Sequence, residues 1–282
     1  MNLPQFIVLG GHKCGTSSLH FYLDQHPEIY LPAIKGIDFF NREGNLGQKI
    51  TTFEEYQALY QNKSQEQIAG EVSSVYLNSA KACQTIKKYV PNAKLIVILR
   101  NPVDRAFSHF NVLEETKKRT RNYQEIFSEK KVLRNGFYAA PLKMYLQEFS
   151  RKQFKFFLFD LFIKEQQNFF TDFFDFVGVD ANFMPDTSLI WRKGGKIKHK
   201  NIQQRLLKNN SLKQVLKFVV KPFTTSQQRL NLSVKTQNLL TQKIKMPPEI
   251  RKELIELYRE DILQVQDILE IDLSRWLQSS HE

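Results

Sequence analysis

The sequence predicts a single α/β domain, a P-loop-like parallel β-sheet flanked by helices on both faces. Three observations predict it. Short apolar runs recur along the chain: QFIVLG at 5–10, QIAGEVSS at 67–74, AKLIVILR at 93–100 and KQFKFFLFD at 152–160. Unbroken apolar runs bounded by turn residues read as strands buried on both faces. Helix-like sequence follows the runs, and strands alternating with helices imply a parallel sheet covered on both faces. The first run also ends in a glycine-containing turn, GGHKCGTSSL, that opens directly into a helix.

Taken in order, TSSLHFYLDQHP at 16–27 carries hydroxyl residues in front, then Leu19, Tyr22 and Leu23 at helical spacing, and stops at His26-Pro27. YAAPLKMYLQEFS at 138–150 and EQQNFFTDFFDFVGV at 165–179 have the apolar spacing of helices, the second closing at Gly178. Beyond Arg192 the strand signals fade and the chain reads as helical. PPEIRKELIELYREDILQVQDILEIDLSRWL at 247–277 follows, with prolines suited to a helix start and one apolar face.

The 282 residues contain no Pro/Gly/Ser-rich linker and no internal repeat, so residues 1–282 are expected to form one unit. Two cysteines, Cys14 and Cys83, are too few for a disulfide framework and point to a reducing compartment. The first residues lack the basic and apolar regions of a leader, and no apolar stretch approaches the roughly 20 residues of a membrane span. A soluble, cytoplasmic protein is expected.

The net charge of +12 is concentrated. Fourteen of the 41 Lys and Arg lie between 192 and 245, where there is no Asp or Glu, leaving 27 basic against 29 acidic residues elsewhere. This basic, mainly helical segment is either a solvated face or a surface for an anionic partner.

The turn after the first strand has the chemistry of a phosphate cradle. Glycines let the backbone approach an oxyanion, and the first amides of the next helix point at it with the positive end of the helix dipole. Gly15, Thr16 and Ser17 are placed to supply those amides. A nucleoside-triphosphatase loop would carry lysine after the last glycine and a magnesium-binding hydroxyl. Here Lys13 precedes Gly15, and the strand KLIVIL ends at Arg100 where such enzymes carry an Asp. In LRNPVDRAFSHF, Arg100 and Ser108 can converge on one more anion, since a guanidinium holds phosphate bidentately.

With these two motifs the chain resembles sulfotransferases that use 3′-phosphoadenosine 5′-phosphosulfate (PAPS). GGHKCGTSSL looks like their 5′-phosphosulfate loop and RNPVDRAFSHF like their 3′-phosphate motif. GEVSSVYL, YVPNAKLIVILRNPVDRAFSHF, YLQEFSRKQFKFFLFDL, FVGVD and DLSRWL fall in the family's order. The resemblance covers nearly the whole chain and is nearest to the bacterial and heparan-sulfate-type branches. It implies transfer of a sulfuryl group from PAPS to a hydroxyl or amine, with adenosine 3′,5′-bisphosphate (PAP) as product and no metal. Carried over, Lys13, Cys14, Gly15, Thr16 and Ser17 would hold the 5′-phosphosulfate, and Arg100 and Ser108 the 3′-phosphate. WRKGGKIKHK at 191–200 resembles the basic loop that covers PAPS, which would add Lys193 and Gly194.

The base is where the pattern breaks. Heparan-sulfate-type relatives place a Glu in a stretch resembling Lys-Glu-x-His-Phe-Phe. Here KGIDFF keeps Lys35 but has Gly36 at the Glu position and Asp38 at the His position. Asp38 is the first candidate for the base, with a turn or capping role as the alternative. Glu71 in GEVSS is the second, and it could instead be a satisfied partner of Lys13 or Arg100. The expected acceptor is a glycan or a small natural product, Asp38 favouring a cationic one such as a guanidinium alkaloid. The competing readings are a nucleotide kinase and a nucleic-acid-binding protein. No recognition motif or aromatic interleaving supports the latter, so no nucleic-acid partner is expected.

Overall fold

A computed structural model describes residues 3–41, 50–117, 122–188, 196–197, 241–242 and 244–279. The chain runs β1 (Phe6–Gly10), α1 (Thr16–Leu23), β2 (Ile29–Tyr30), α2 (Phe53–Ala58), β3 (Ile68–Val72), α3 (Ala80–Tyr89) and β4 (Lys94–Leu99). It continues through α4 (Pro102–Lys117), α5 (Lys130–Arg134), α6 (Ala139–Glu148), β5 (Phe154–Leu158), α7 (Phe159–Lys164) and α8 (Gln166–Val177). The last elements are β6 (Lys196–Ile197), β7 (Thr241–Gln242) and α9 (Pro248–Leu269).

The main sheet is parallel throughout, in the order β2-β3-β1-β4-β5. From β1 the chain builds first to one side and then, at β4, to the other. This makes β1 the topological switch point, where the crevice at the carboxyl ends of the strands accepts ligands in open α/β sheets. The four expected strands form, as do the helices expected in 16–27, 138–150, 165–179 and 247–277. The edge strand β2 and the helices α2, α5 and α7 are additions, each too short to leave a periodic signal.

The alternation of side chains sorts the core into two layers. Ile7 and Leu9 of β1 and Leu95, Val97 and Leu99 of β4 face α3, α4, α6 and α9. Phe6 and Val8 with Ile96 and Ile98 face α1 and α8, where Phe169, Phe170, Phe173 and Phe174 interdigitate. A bulge between Val8 and Gly10 ends the regular pairing of β1 with β4, just before the turn into α1.

The closing helix α9 braces the strand end that carries Arg100. Its buried Asp261 accepts from the backbone N–H groups of Tyr138 and Ala139, at 2.7 and 3.1 Å, where α6 begins. Tyr138 in turn donates its hydroxyl to the Arg100 carbonyl at 2.9 Å. Arg251 pairs with Asp104 of α4 at 2.5 Å, and Asn101 caps α4 through Val103 N–H while donating to the Trp276 carbonyl.

Of the basic segment 192–245, residues 196–197, 241–242 and 244–245 are described. There β6 and β7 pair antiparallel, strand rather than the expected helix. The remainder, with Lys193, Gly194 and the helical expectation for it, lies outside the described residues. Among the described residues no helix is long and apolar enough to cross a membrane.

Candidate active site

The turn between β1 and α1 is built around left-handed backbone. Lys13 has φ 67° and Gly15 φ 80°. Gly15 occupies the capping position of α1, and no side chain caps the helix, which leaves its first N–H groups to face an anion. Glycine is required at 15 for two reasons. Its φ disfavours any L residue, and an added Cβ would stand 2.8 Å from Phe162 and 2.9 Å from Phe159. Gly15→Ala is therefore expected to lose about 1–2 kcal/mol from the backbone alone. The aromatic overlap adds to this, lowering the melting temperature by several degrees. A melting curve checks this, and an unchanged midpoint would show that the turn relaxes freely.

Cys14 is fully buried, its Sγ directed to the His12 carbonyl at 3.6 Å, and burial pushes its thiol up to about 11. Its side chain faces the interior, away from any ligand. Thr16 is buried and Ser17 half-buried. Lys35 reaches both from the loop after β2, its Nζ donating to Ser17 Oγ at 2.6 Å and lying 3.5 Å from Thr16 Oγ1. The sequence motif at 13–17 thus gains a second ammonium from a segment 18 residues away.

Arg100 emerges from β4, the neighbour of β1. Its Nη1 donates to the Lys13 carbonyl at 3.3 Å and its guanidinium lies 4.8 Å from the centre of the Phe159 ring. The two expected anion motifs therefore meet directly. Ser108 is half-buried on α4, and the ring of the adjacent His109 packs on His12 of the turn at 4.3 Å. This contact closes α4 against the loop.

The local field is positive. Burial first, then His109, Arg105, Lys13 and Lys131, bring His12 down to about 3. Burial and the same cations bring His109 down to about 4. Both imidazoles are thus neutral near pH 7 and add no charge to that of Arg105, Lys13 and Lys131 around them.

The two carboxylates have different surroundings. Gly36, with φ 69°, lets the loop reverse, and Asp38 itself sits at φ 51°, a conformation that Asp tolerates. This backbone demand gives a physical reason for glycine where the resembled pattern Lys-Glu-x-His-Phe-Phe has Glu. Asp38 is half-buried and accepts from Ser73 Oγ at 3.0 Å. Burial raises its carboxyl above the ordinary range, while Ser73 and Lys35 pull it back.

Glu71 of β3 is 2% exposed. Its Oε2 accepts from the Tyr56 hydroxyl at 2.6 Å and its Oε1 from the Tyr76 hydroxyl at 2.5 Å. Burial pushes it up to about 7, against those two hydrogen bonds, and the Asp38 charge adds to the rise. Its partners are tyrosines, not the Lys13 or Arg100 considered from the sequence. Ser73, Tyr56, Tyr76 and Phe159 were not singled out there. Ser73 and Tyr76 stand inside the GEVSSVYL stretch and Phe159 at the end of the KQFKFFLFD run, but Tyr56 carries no local signal.

A family model described as Sulfotransferase domain matches residues 3–272. A sulfotransferase crystal structure from Alicyclobacillus acidocaldarius superposes with a TM-score of 0.72 at 28% identity, covering 99% of this chain and 100% of that one. The membrane-associated sulfotransferase kil1 of Dictyostelium discoideum is 34% identical over 43% of this chain and 25% of its own length. Human heparan sulfate glucosamine 3-O-sulfotransferase 5 is 29% identical over 54% of this chain and 46% of its own. The match thus spans less than half the length of either curated relative. With the family model spanning the sheet, the turn after β1 and the strand end at Arg100, this chain belongs to the PAPS-dependent sulfotransferase family.

Proposed function

We propose that this protein transfers a sulfuryl group from PAPS to a hydroxyl, with Lys13, Lys35 and the α1 amides at the 5′-phosphosulfate, Arg100 and Ser108 at the 3′-phosphate, and Asp38 as base. The observation that carries the reading is the convergence of Lys35 and Arg100 on the uncapped turn at 13–17. The donor set is cationic and hydroxyl-rich, which fits a phosphosulfate. Bound there, PAPS supplies a sulfuryl group whose bond to the phosphate oxygen breaks as the acceptor oxygen bonds to sulfur.

The residues divide the work. Lys13 neutralises charge growing on the leaving oxygen, as a fixed donor needing no rearrangement at the moment of reaction. Arg100 binds a phosphate remote from sulfur and contributes affinity. Asp38, made more basic by burial, takes the acceptor proton. Similarity to a heparan sulfate sulfotransferase supports a carbohydrate acceptor. Asp38 in place of the family's His supports a second reading, a cationic small molecule such as a guanidinium alkaloid. Two buried free thiols, Cys14 and Cys83, fit a reducing compartment such as the cytoplasm.

The test is ligand-induced stabilisation followed by product identification. PAP is expected to raise the melting temperature where ATP with magnesium does not. Sulfuryl transfer from labelled PAPS, offered heparosan oligosaccharides and a guanidinium-bearing alcohol, is expected to survive EDTA. Stabilisation by magnesium-ATP alone, or activity restored only by magnesium, would support the kinase reading instead. In the same assay Arg100→Ala is expected to raise the PAPS KM at least tenfold while kcat changes severalfold at most. An unchanged KM would place the 3′-phosphate elsewhere.

A further inference from the structure

Glu71 is a buried carboxylate of β3, the strand beside β1, and its surroundings connect it to the loop that carries Asp38. The two residues after Asp38 are Phe39 and Phe40, which form a short 3₁₀ turn with Asn41. The Phe39 ring stacks on Tyr56 with centroids 4.6 Å apart and planes at 17°. Phe40 packs edge-on against both Tyr56 and Tyr76, and its backbone N–H donates to the Tyr76 hydroxyl at 3.3 Å. The same two tyrosines donate their hydroxyl protons to the two oxygens of Glu71. Tyr76 therefore accepts from the loop and donates to the strand through one oxygen. Two residues beyond Glu71, Ser73 donates to Asp38 Oδ1, and its Oγ is fixed in turn by the Val75 N–H at 3.1 Å.

From this geometry we infer that Glu71 is a positioning residue, holding the Asp38 loop in register through Tyr56 and Tyr76. The inference rests on the assignment of Asp38 as base. A general base must lie within hydrogen-bond reach of the proton it removes, so small displacements of its loop degrade it. A carboxylate accepting two hydroxyls suits the task, because charge-assisted hydrogen bonds are short and directional. Its lack of exposure argues against direct contact with an acceptor.

The two carboxylates also sense each other. The groups acting on Glu71 are Tyr56 from α2, Tyr76 after β3 and Asp38 from the loop, with Tyr60 behind Tyr56 at 3.2 Å between hydroxyls. Lys35 and Ser73 act on Asp38. Burial raises both carboxyls, Glu71 to about 7; as Glu71 loses its proton, its new charge acts on Asp38 and the tyrosine hydrogen bonds strengthen.

The experiment is a carbon-13 NMR titration of the Asp side-chain carboxyls in the full chain, with Asp38 assigned through its absence in Asp38→Asn. The Asp38 signal is expected to show its own titration and a second step near pH 7. In Glu71→Gln the second step disappears and the first remains. Tyr76→Phe keeps the ring and removes the bridging oxygen, so amide exchange at Phe40 should quicken by about tenfold, the worth of one net hydrogen bond. It also provides a second variant should Glu71→Gln fold poorly. An Asp38 signal indifferent to Glu71→Gln, or Phe40 exchange unchanged in Tyr76→Phe, overturns the clamp. PAP binding to the parent, followed by calorimetry, separates this from the donor reading. A parent that does not bind PAP overturns that reading and the catalytic purpose of the clamp, whatever the carbon signal shows.

Discussion

Lys13→Ala is expected to lower the rate of sulfuryl transfer by about 10²–10³, the loss that follows removal of one preorganised donor to a developing oxyanion. PAP affinity should fall less, by about tenfold, because in the proposed site the product phosphate would still meet the α1 amides, Thr16, Ser17 and Lys35. The asymmetry is the informative part. A charge aimed at the leaving oxygen acts most strongly where that oxygen carries the most charge, in the transition state, so kcat must fall further than affinity. The left-handed backbone at Lys13, φ 67°, is no better suited to alanine, so a melting curve accompanies the kinetics to exclude collapse of the turn. Lys35→Ala is the comparison. Its Nζ lies on Ser17 and near Thr16, the same cradle approached from another loop, and its removal should weaken PAP binding more than it slows the chemical step. If Lys13→Ala retains kcat within fivefold of the parent while Lys35→Ala loses it, the ammonium at the leaving oxygen is Lys35.

How much of this was legible follows from the range of the interactions. Strands such as KLIVIL and the turn GGHKCGTSSL announce themselves because burial on both faces and the demand for glycine are local requirements. The meeting of Arg100 with Lys13 was legible in kind, since both follow parallel strands and the carboxyl ends of such strands share a crevice. The surroundings of Glu71 were not. Its partners lie 15 residues before it and five after it, in a short helix and in a loop, and neither tyrosine differs in sequence from one that merely fills a core. Lys35 was visible only through resemblance, because its contact with Ser17 closes a loop of 18 residues that no periodicity spans. The strands β6 and β7 are two residues each and pair across more than 40 positions, too short for alternation to register.

The same distinction makes Asp38→Asn the most discriminating substitution at the site. Asn tolerates the left-handed region as readily as Asp, so the loop at φ 51° keeps its backbone, and its side-chain oxygen can still accept from Ser73. Packing and the donor cradle are thereby left intact, and PAP binding should match the parent. What is lost is the capacity to take a proton. With a hydroxyl acceptor the rate should fall by about 10²–10⁴. The pH profile supplies a second readout. Burial raises Asp38 above the ordinary carboxylate range, so the parent rate should climb with pH through that raised value as the base loses its own proton. Asp38→Asn should lack this limb. Glu71→Gln should retain it, with a smaller loss of rate. If instead both Glu71→Gln and Asp38→Asn transfer at the parental rate, the acceptor is an amine already nucleophilic when neutral, and no carboxylate base operates. A rise in acceptor KM with unchanged kcat in Asp38→Asn would make Asp38 an acceptor-binding charge. That result would favour the cationic small molecule over the carbohydrate, because only a cation loses attraction when the carboxylate becomes an amide.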